Sequence, residues 1–206
     1  MTTLDDFNPA AGTRKRKPAK PEWQPLTRDD LAFENVLAID PSLSATGVVA
    51  LAHDPVTGLS VKAAYKQAGM IPEGATGWDK NFGQAEDLYD HFEDLYGPLS
   101  TRFPEPWRIA IEQPPMVSQR APESSILVGA MARRVALNTG RQPIMVDPRH
   151  HKKVTVGDAR LSKVDHHKLL MPWAKTLDIT HLTLISNEAL RDALSVALTA
   201  LARLNP

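Results

Sequence analysis

The chain reads as a mixed α/β domain, with one central sheet and helices covering both of its faces. Three observations predict this. Residues 35–67 hold three consecutive strand-like runs joined by short turns. Beyond them, segments of helical period alternate with short apolar runs. The last long segment is a helix with a continuous apolar stripe. Consecutive strands on short turns form an antiparallel meander, and later strands separated by helices add to the same sheet in parallel.

Each element has its own local reason. NVLAID (35–40) is a buried strand and PSLSAT (41–46) a turn. GVVALAH (47–53) is a second strand, and LSVKAAYKQ (59–67) a third with partial alternation. A Gly- and Pro-containing loop runs to about residue 79. Leu88, Phe92, Leu95 and Leu99 then recur at helical spacing within 83–102. RIAIEQ (108–113) is a fourth strand, followed by a break at PP and SQRAP. ESSILVGAMARRVALN (123–138) is a helix stopped by Gly140. PIMVD (143–147) is a strand, and two helical pieces at 148–154 and 162–175 flank a loop around Gly157. LTLI (182–185) reads as a short strand. NEALRDALSVALTALARL (187–204) is a helix capped by Asn187 or Ser186, with Leu190, Leu194, Ala197 and Leu201 as its buried stripe.

The 206 residues suffice for one domain with a full core plus a tail. Residues 1–33 hold several prolines, few aliphatics and no period, so they are expected to be a disordered basic tail, with the folded domain spanning 34–206. There is no cysteine, which excludes disulfides and thiolate metal sites. No apolar run approaches the ~18 residues of a membrane span, and MTTLDDFNPA lacks the apolar core of a signal peptide. A cytoplasmic location is the expectation. Net charge is zero, but unevenly distributed: residues 13–20 carry five Lys/Arg and no acid, and residues 149–168 carry six against two Asp, with four of the seven histidines. A neutral chain can thus present a basic face to nucleic acid.

Two apolar strands end on carboxylates, Asp40 and Glu112. In parallel neighbouring strands both would project at the same sheet edge. Asp192 lies on the final helix, sharing a face with Glu188 and Ser195 at i−4 and i+3. Taken singly, Asp40 could cap a turn, Glu112 could be a surface acid and Asp192 a solvated helix residue. Together, three or four carboxylates in one place stay ionised only if cations neutralise them. Oxygen donors suit Mg²⁺ or Mn²⁺, and a pair of such ions ~4 Å apart suits attack of water on a phosphodiester.

These segments resemble one family. IDPSLSATG looks like the IDPG-x-x-x-TG opening of the RuvC family of Holliday-junction resolvases. IAIEQ resembles that family's second acidic strand, VGAMARRVALN the helix after it, and DPRHHKKVTVG its SPR-x-x-K-x-x-x-x-G stretch. SKVDHH resembles its next basic helix and RDALSVAL its closing helix. The likeness is ordered throughout and covers about residues 35–203. It implies an RNase H-like fold and metal-dependent cleavage of branched DNA such as four-way junctions, by a homodimer using two Mg²⁺ ions, with Mn²⁺ as a substitute; the divergence suggests a viral type of member. By motif position it places metal-ligand roles on Asp40, Glu112 and Asp192, and phosphate contacts on Arg149, Lys152 and Lys163, with Lys153 beside them; Arg133 and Arg134 could contact DNA or form salt bridges. Three departures stand out. The family's fourth ligand falls on Ala189, for which Glu188 is the candidate substitute. Ser42 replaces a glycine. Pro115 stands where an aromatic would stack on opened bases, leaving Pro115 or Met116 as a weaker wedge.

The pairs His150–His151 and His166–His167 do not read as a zinc site, because adjacent residues point apart and no cysteine completes a set. They are expected to extend the basic surface, or one of them to polarise a phosphate. The small residues Gly129, Ala132 and Ala136 allow either a dimer seam or packing on the sheet. Two other functions compete: a catalytically incomplete branched-DNA-binding module, motivated by Ala189, and an actin-like phosphotransferase, suggested by D-x-x-x-x-x-x-G but short of a second domain and of an adenosine loop.

Overall fold

The side-chain alternation of two adjacent strands sets the layers. In β1 (Asn35–Asp40), Val36 and Ala38 face one core while Leu37 and Ile39 face the other. In β4 (Trp107–Glu112), Ala110 joins the first core, and Ile109 and Ile111 join the second. The two strands run parallel, with Ile39 opposite Ile111. The structure is a computed structural model and describes residues 26–43, 45–102, 107–113, 123–177 and 188–202.

β1, β2 (Thr46–Asp54) and β3 (Gly58–Gln67) form the antiparallel meander. A bulge between Ala50 and Leu51 shifts the β2–β3 register. β4 and then β5 (Ile144–Val146) extend the sheet in parallel, giving the order β3-β2-β1-β4-β5. Helices α1 (Gly77–Arg102) and α2 (Glu123–Asn138) cover one face, with Leu88, Phe92, Val128, Ala132 and Val135 buried against Leu37, Ile39 and Ile111. The other face carries α4 (Lys163–Thr176) and α5 (Glu188–Leu201); α3 (Pro148–Val156) packs beside them. This is the mixed sheet, covered on both faces, that the sequence predicts.

Several details differ from expectation. α1 starts at Gly77 rather than near 83. Its first turns carry Trp78 and Phe82 largely exposed, so burial gave them no periodic signature. Leu31, inside the stretch expected to be tail, is fully buried and bridges Ala202. One leucine in a short segment makes no period, so only packing shows it. Asp147 does not end a strand. Its carboxylate accepts from the backbone N–H of Arg149 at 2.7 Å and His150 at 3.2 Å, capping α3 ahead of Pro148. Ala132 and Ala136 of the small-residue face of α2 lie in the core under α1, which assigns that face to packing within the chain. From Asp192 to Leu201 every residue of α5 is buried, so the helix has no polar outer face opposite its leucines. LTLI, residues 1–25, and Pro115 and Met116 lie outside the described residues.

Candidate active site

Parity places the acids. Asp40 follows Val36 and Ala38 onto the α5 side of the sheet, and Glu112 follows Ala110 onto the same side. The parallel register sets them side by side, one residue beyond the Ile39–Ile111 pair. α5 lies across that end of the sheet because β2 lets it approach. Gly47 pairs with Asp40, and a Cβ at Gly47 would sit 2.1 Å from the carbonyl oxygen of Ala189. The close approach brings Asp192, one turn further along α5, into electrostatic contact with Asp40.

The three carboxylates have different surroundings. Burial, then the charges of Glu112 and Asp192, raise the Asp40 pKa well above the usual carboxylate range, with Lys163 opposing weakly. The Asp40 and Glu112 carboxyl groups lie within hydrogen-bond reach of each other. Glu112 Oε2 is buried and has no hydrogen-bond partner. Burial would also raise Asp192, but hydrogen bonds to His167 and Lys163 outweigh it and hold the group below its ordinary value. His167 Nε2 is 2.7 Å from Asp192 Oδ1, and Lys163 Nζ is 2.6 Å from Oδ2. Lys163 loses some proton affinity to burial but gains more from Asp192 and Asp40, so it stays charged.

A divalent cation fits this donor set. Clustered oxygen donors, a carboxylate pushed toward protonation by burial and by its neighbours, and an orphaned carboxylate oxygen are the features a cation would relieve. Among the described residues, however, the metal-ligating side chains whose donor atoms all lie within 4.8 Å of one another are His166, His167 and Asp192, not the three acids.

Other expected site residues are distributed more widely. Glu188 has a side chain 63% exposed and pairs with Lys163 Nζ at 3.6 Å, the same ammonium that binds Asp192. Arg149, Lys153 and Arg133 are exposed. Lys152 is half-buried, with Nζ donating to Leu161 O at 3.4 Å. Arg134 lies over the ring of Tyr89, 5.6 Å from its centroid. Lys163 is exposed, yet its ammonium is engaged with Asp192.

The histidines correct the sequence reading. Only His150 is exposed; His151, His166 and His167 are buried. Adjacent His166 and His167 both point inward, reaching Ser195 and Asp192, which lie one helical turn apart on α5. A signal existed, since His166 is in register with Leu170, Ala174 and Leu177, all buried. Burial and the neighbouring His151 push the His166 pKa down to about 3. The unfolded chain takes up this proton near 6.5 while the fold refuses it, so stability is present above pH 6.5 and falls as pH drops toward 3. By pH 4 the loss should reach about 3 kcal/mol. Urea unfolding between pH 7 and 4 checks this: His166→Leu should lose that much less than the wild type, and equal pH slopes would refute the buried neutral imidazole.

No protein-family model matches the chain, and no curated protein matches it. Solved structures do. RuvC of Thermus thermophilus is 18% identical, with 80% of this chain and 92% of that one aligned and a TM-score of 0.57. T. thermophilus RuvC in complex with a Holliday junction substrate is 16% identical, with 82% and 93% aligned and a TM-score of 0.58. The chain therefore has the RNase H-like fold of RuvC, as its motifs imply.

Proposed function

We propose that the chain is a metal-dependent endonuclease that cuts branched DNA, Holliday junctions foremost. The observation that carries this reading is the convergence of Asp40, Glu112 and Asp192 at one end of the sheet, on a fold like that of a protein solved with a Holliday junction. Asp40, Glu112 and Asp192 would hold Mg²⁺, or Mn²⁺ in its place. Bound divalent ions would supply the charge that activates water and stabilises the leaving oxygen of a phosphodiester. Glu188, paired with Lys163, would act at the rim of the site. His167 and Lys163 fix the Asp192 carboxylate in one orientation. Exposed Arg149, Lys153 and Arg133, with half-buried Lys152, would hold phosphates, and Met116 would lie near the branch point. Residues 1–25 would add a basic tail, and a homodimer would present two sites to a four-way junction.

A second reading is a branched-DNA-binding module with little or no activity. It is favoured by Ala189, which offers no donor where the family places a fourth ligand. Cleavage of a labelled four-way junction beside a linear duplex of the same sequence, with Mg²⁺ and then Mn²⁺, separates the two. Junction-specific paired nicks, lost in Asp192→Asn, are the expected result. Tight junction binding without nicks in either metal would select the second reading.

A further inference from the structure

The fourth ligand position on α5 is Ala189, yet a nitrogen donor from another helix reaches one of the same acids, Glu112. His151, on α3, has a ring 2% exposed, with Nε2 facing Glu112 Oε2 at 3.5 Å. That carboxylate oxygen has no hydrogen-bond partner, and 3.5 Å is at the outer limit for an N–H···O bond. The ring's other nitrogen, Nδ1, is 2.8 Å from Ser195 Oγ.

The hydroxyls around His151 allow its proton to lie on Nδ1. Thr155 Oγ1 donates its one hydrogen to the His151 carbonyl at 2.7 Å, because a carbonyl can only accept. Thr155 Oγ1 is then free to accept from Ser195 Oγ at 3.2 Å. When Ser195 donates there, it accepts from His151 Nδ1–H and His151 Nε2 is left unprotonated; when it donates to Nδ1 instead, the proton lies on Nε2. His166 Nε2 lies 3.3 Å from Thr155 and 3.2 Å from Ser195, where it can donate as well.

With the proton on Nδ1, a bare imidazole nitrogen faces a carboxylate oxygen that has no hydrogen-bond partner. Two lone pairs in that position repel unless a cation lies between them. Two donors on one ion at about 2.1 Å are separated by about 3.0 Å at octahedral and about 3.4 Å at tetrahedral angles, close to what is found. His167 is placed differently: its Nε2 is already used at 2.7 Å on Asp192, which makes it an orienting partner of that ligand.

We propose that His151 Nε2 is a direct metal ligand, supplying from α3 the donor that α5 lacks at Ala189. This rests on the proposed metal site and adds a nitrogen to it. An imidazole donor favours a first-row transition ion over the harder Mg²⁺, so the site should select Mn²⁺ over Mg²⁺.

Pulsed electron paramagnetic resonance on the full chain loaded with Mn²⁺ tests this directly. The wild type should show coupling from a coordinated ¹⁴N that is replaced by ¹⁵N coupling when histidine is labelled. The coupling should vanish in His151→Gln while Mn²⁺ still binds, about tenfold or more weaker by calorimetry, and it should persist in His167→Gln. If either variant fails to fold, the labelled wild type still reports whether any histidine binds the ion. Bound Mn²⁺ without nitrogen coupling, or coupling lost only in His167→Gln, would overturn the His151 assignment and leave the carboxylate site standing. Absence of Mn²⁺ binding in the folded wild type would overturn both.

Discussion

Asp40→Asn should abolish junction cleavage, by about 10³-fold or more, while leaving junction affinity close to wild type. The estimate assumes that the lost ligand removes about 4 kcal/mol of transition-state stabilisation. The same substitution should stabilise the metal-free protein. Burial and the charges of Glu112 and Asp192 raise the Asp40 pKa in the fold. Its contribution to stability is therefore complete below the unfolded value, near pH 4, and is lost as pH rises through the folded value. An asparagine carries no charge to desolvate and does not repel the other acids. In EDTA at pH 8 the variant should melt at or above the wild type, and that advantage should disappear near pH 4. Adding Mg²⁺ should raise the wild-type melting temperature and barely move the variant's. A variant that cuts normally would remove Asp40 from the site. One that melts well below wild type at pH 8 would show that Asp40 is a structural cap.

Gly47→Ala should be among the most damaging single substitutions in the sheet. The added Cβ would lie 2.1 Å from the carbonyl oxygen and 2.4 Å from the carbonyl carbon of Ala189. These are backbone atoms of a helix buried along most of its length, so no side chain can swing away to relieve the contact. Overpacking against such a rigid neighbour costs about 3 kcal/mol or more. In a chain of this size that lowers the melting temperature by about 6–12 °C. Relief requires α5 to move off β2, which carries Asp192 away from Asp40 and Glu112. Thermal unfolding and calorimetric Mn²⁺ binding should therefore deteriorate together. A melting temperature within 2 °C of wild type would mean that the close approach at Gly47 does not hold α5 in place.

The sequence was most legible where one physical cause acted alone. β1, β4 and α2 fall within a residue of their expected bounds, because their apolar runs are buried by the sheet and its covers. α1 was cut short at its start because Trp78 and Phe82 are apolar but exposed. Asp147 was expected to close a strand, but its carboxylate caps α3 by accepting from two backbone N–H groups. Composition does not distinguish a cap from a ligand; the backbone conformation at the residue does.

By itself the sequence determined the order of elements, the alternation that puts Asp40 and Glu112 on one side of the sheet, and the likeness to RuvC. Period and strand parity are local properties, carried by consecutive residues. The tertiary structure decided what each group faces. It buried three of the four clustered histidines, turned Lys163 onto Asp192, left Glu188 outside the buried acids and set His151 beside Glu112. The reason is that burial, ion pairing and proton position depend on residues far apart in the chain, such as His151 and Ser195 or His167 and Asp192, and these become neighbours only once α3, α4 and α5 have packed together.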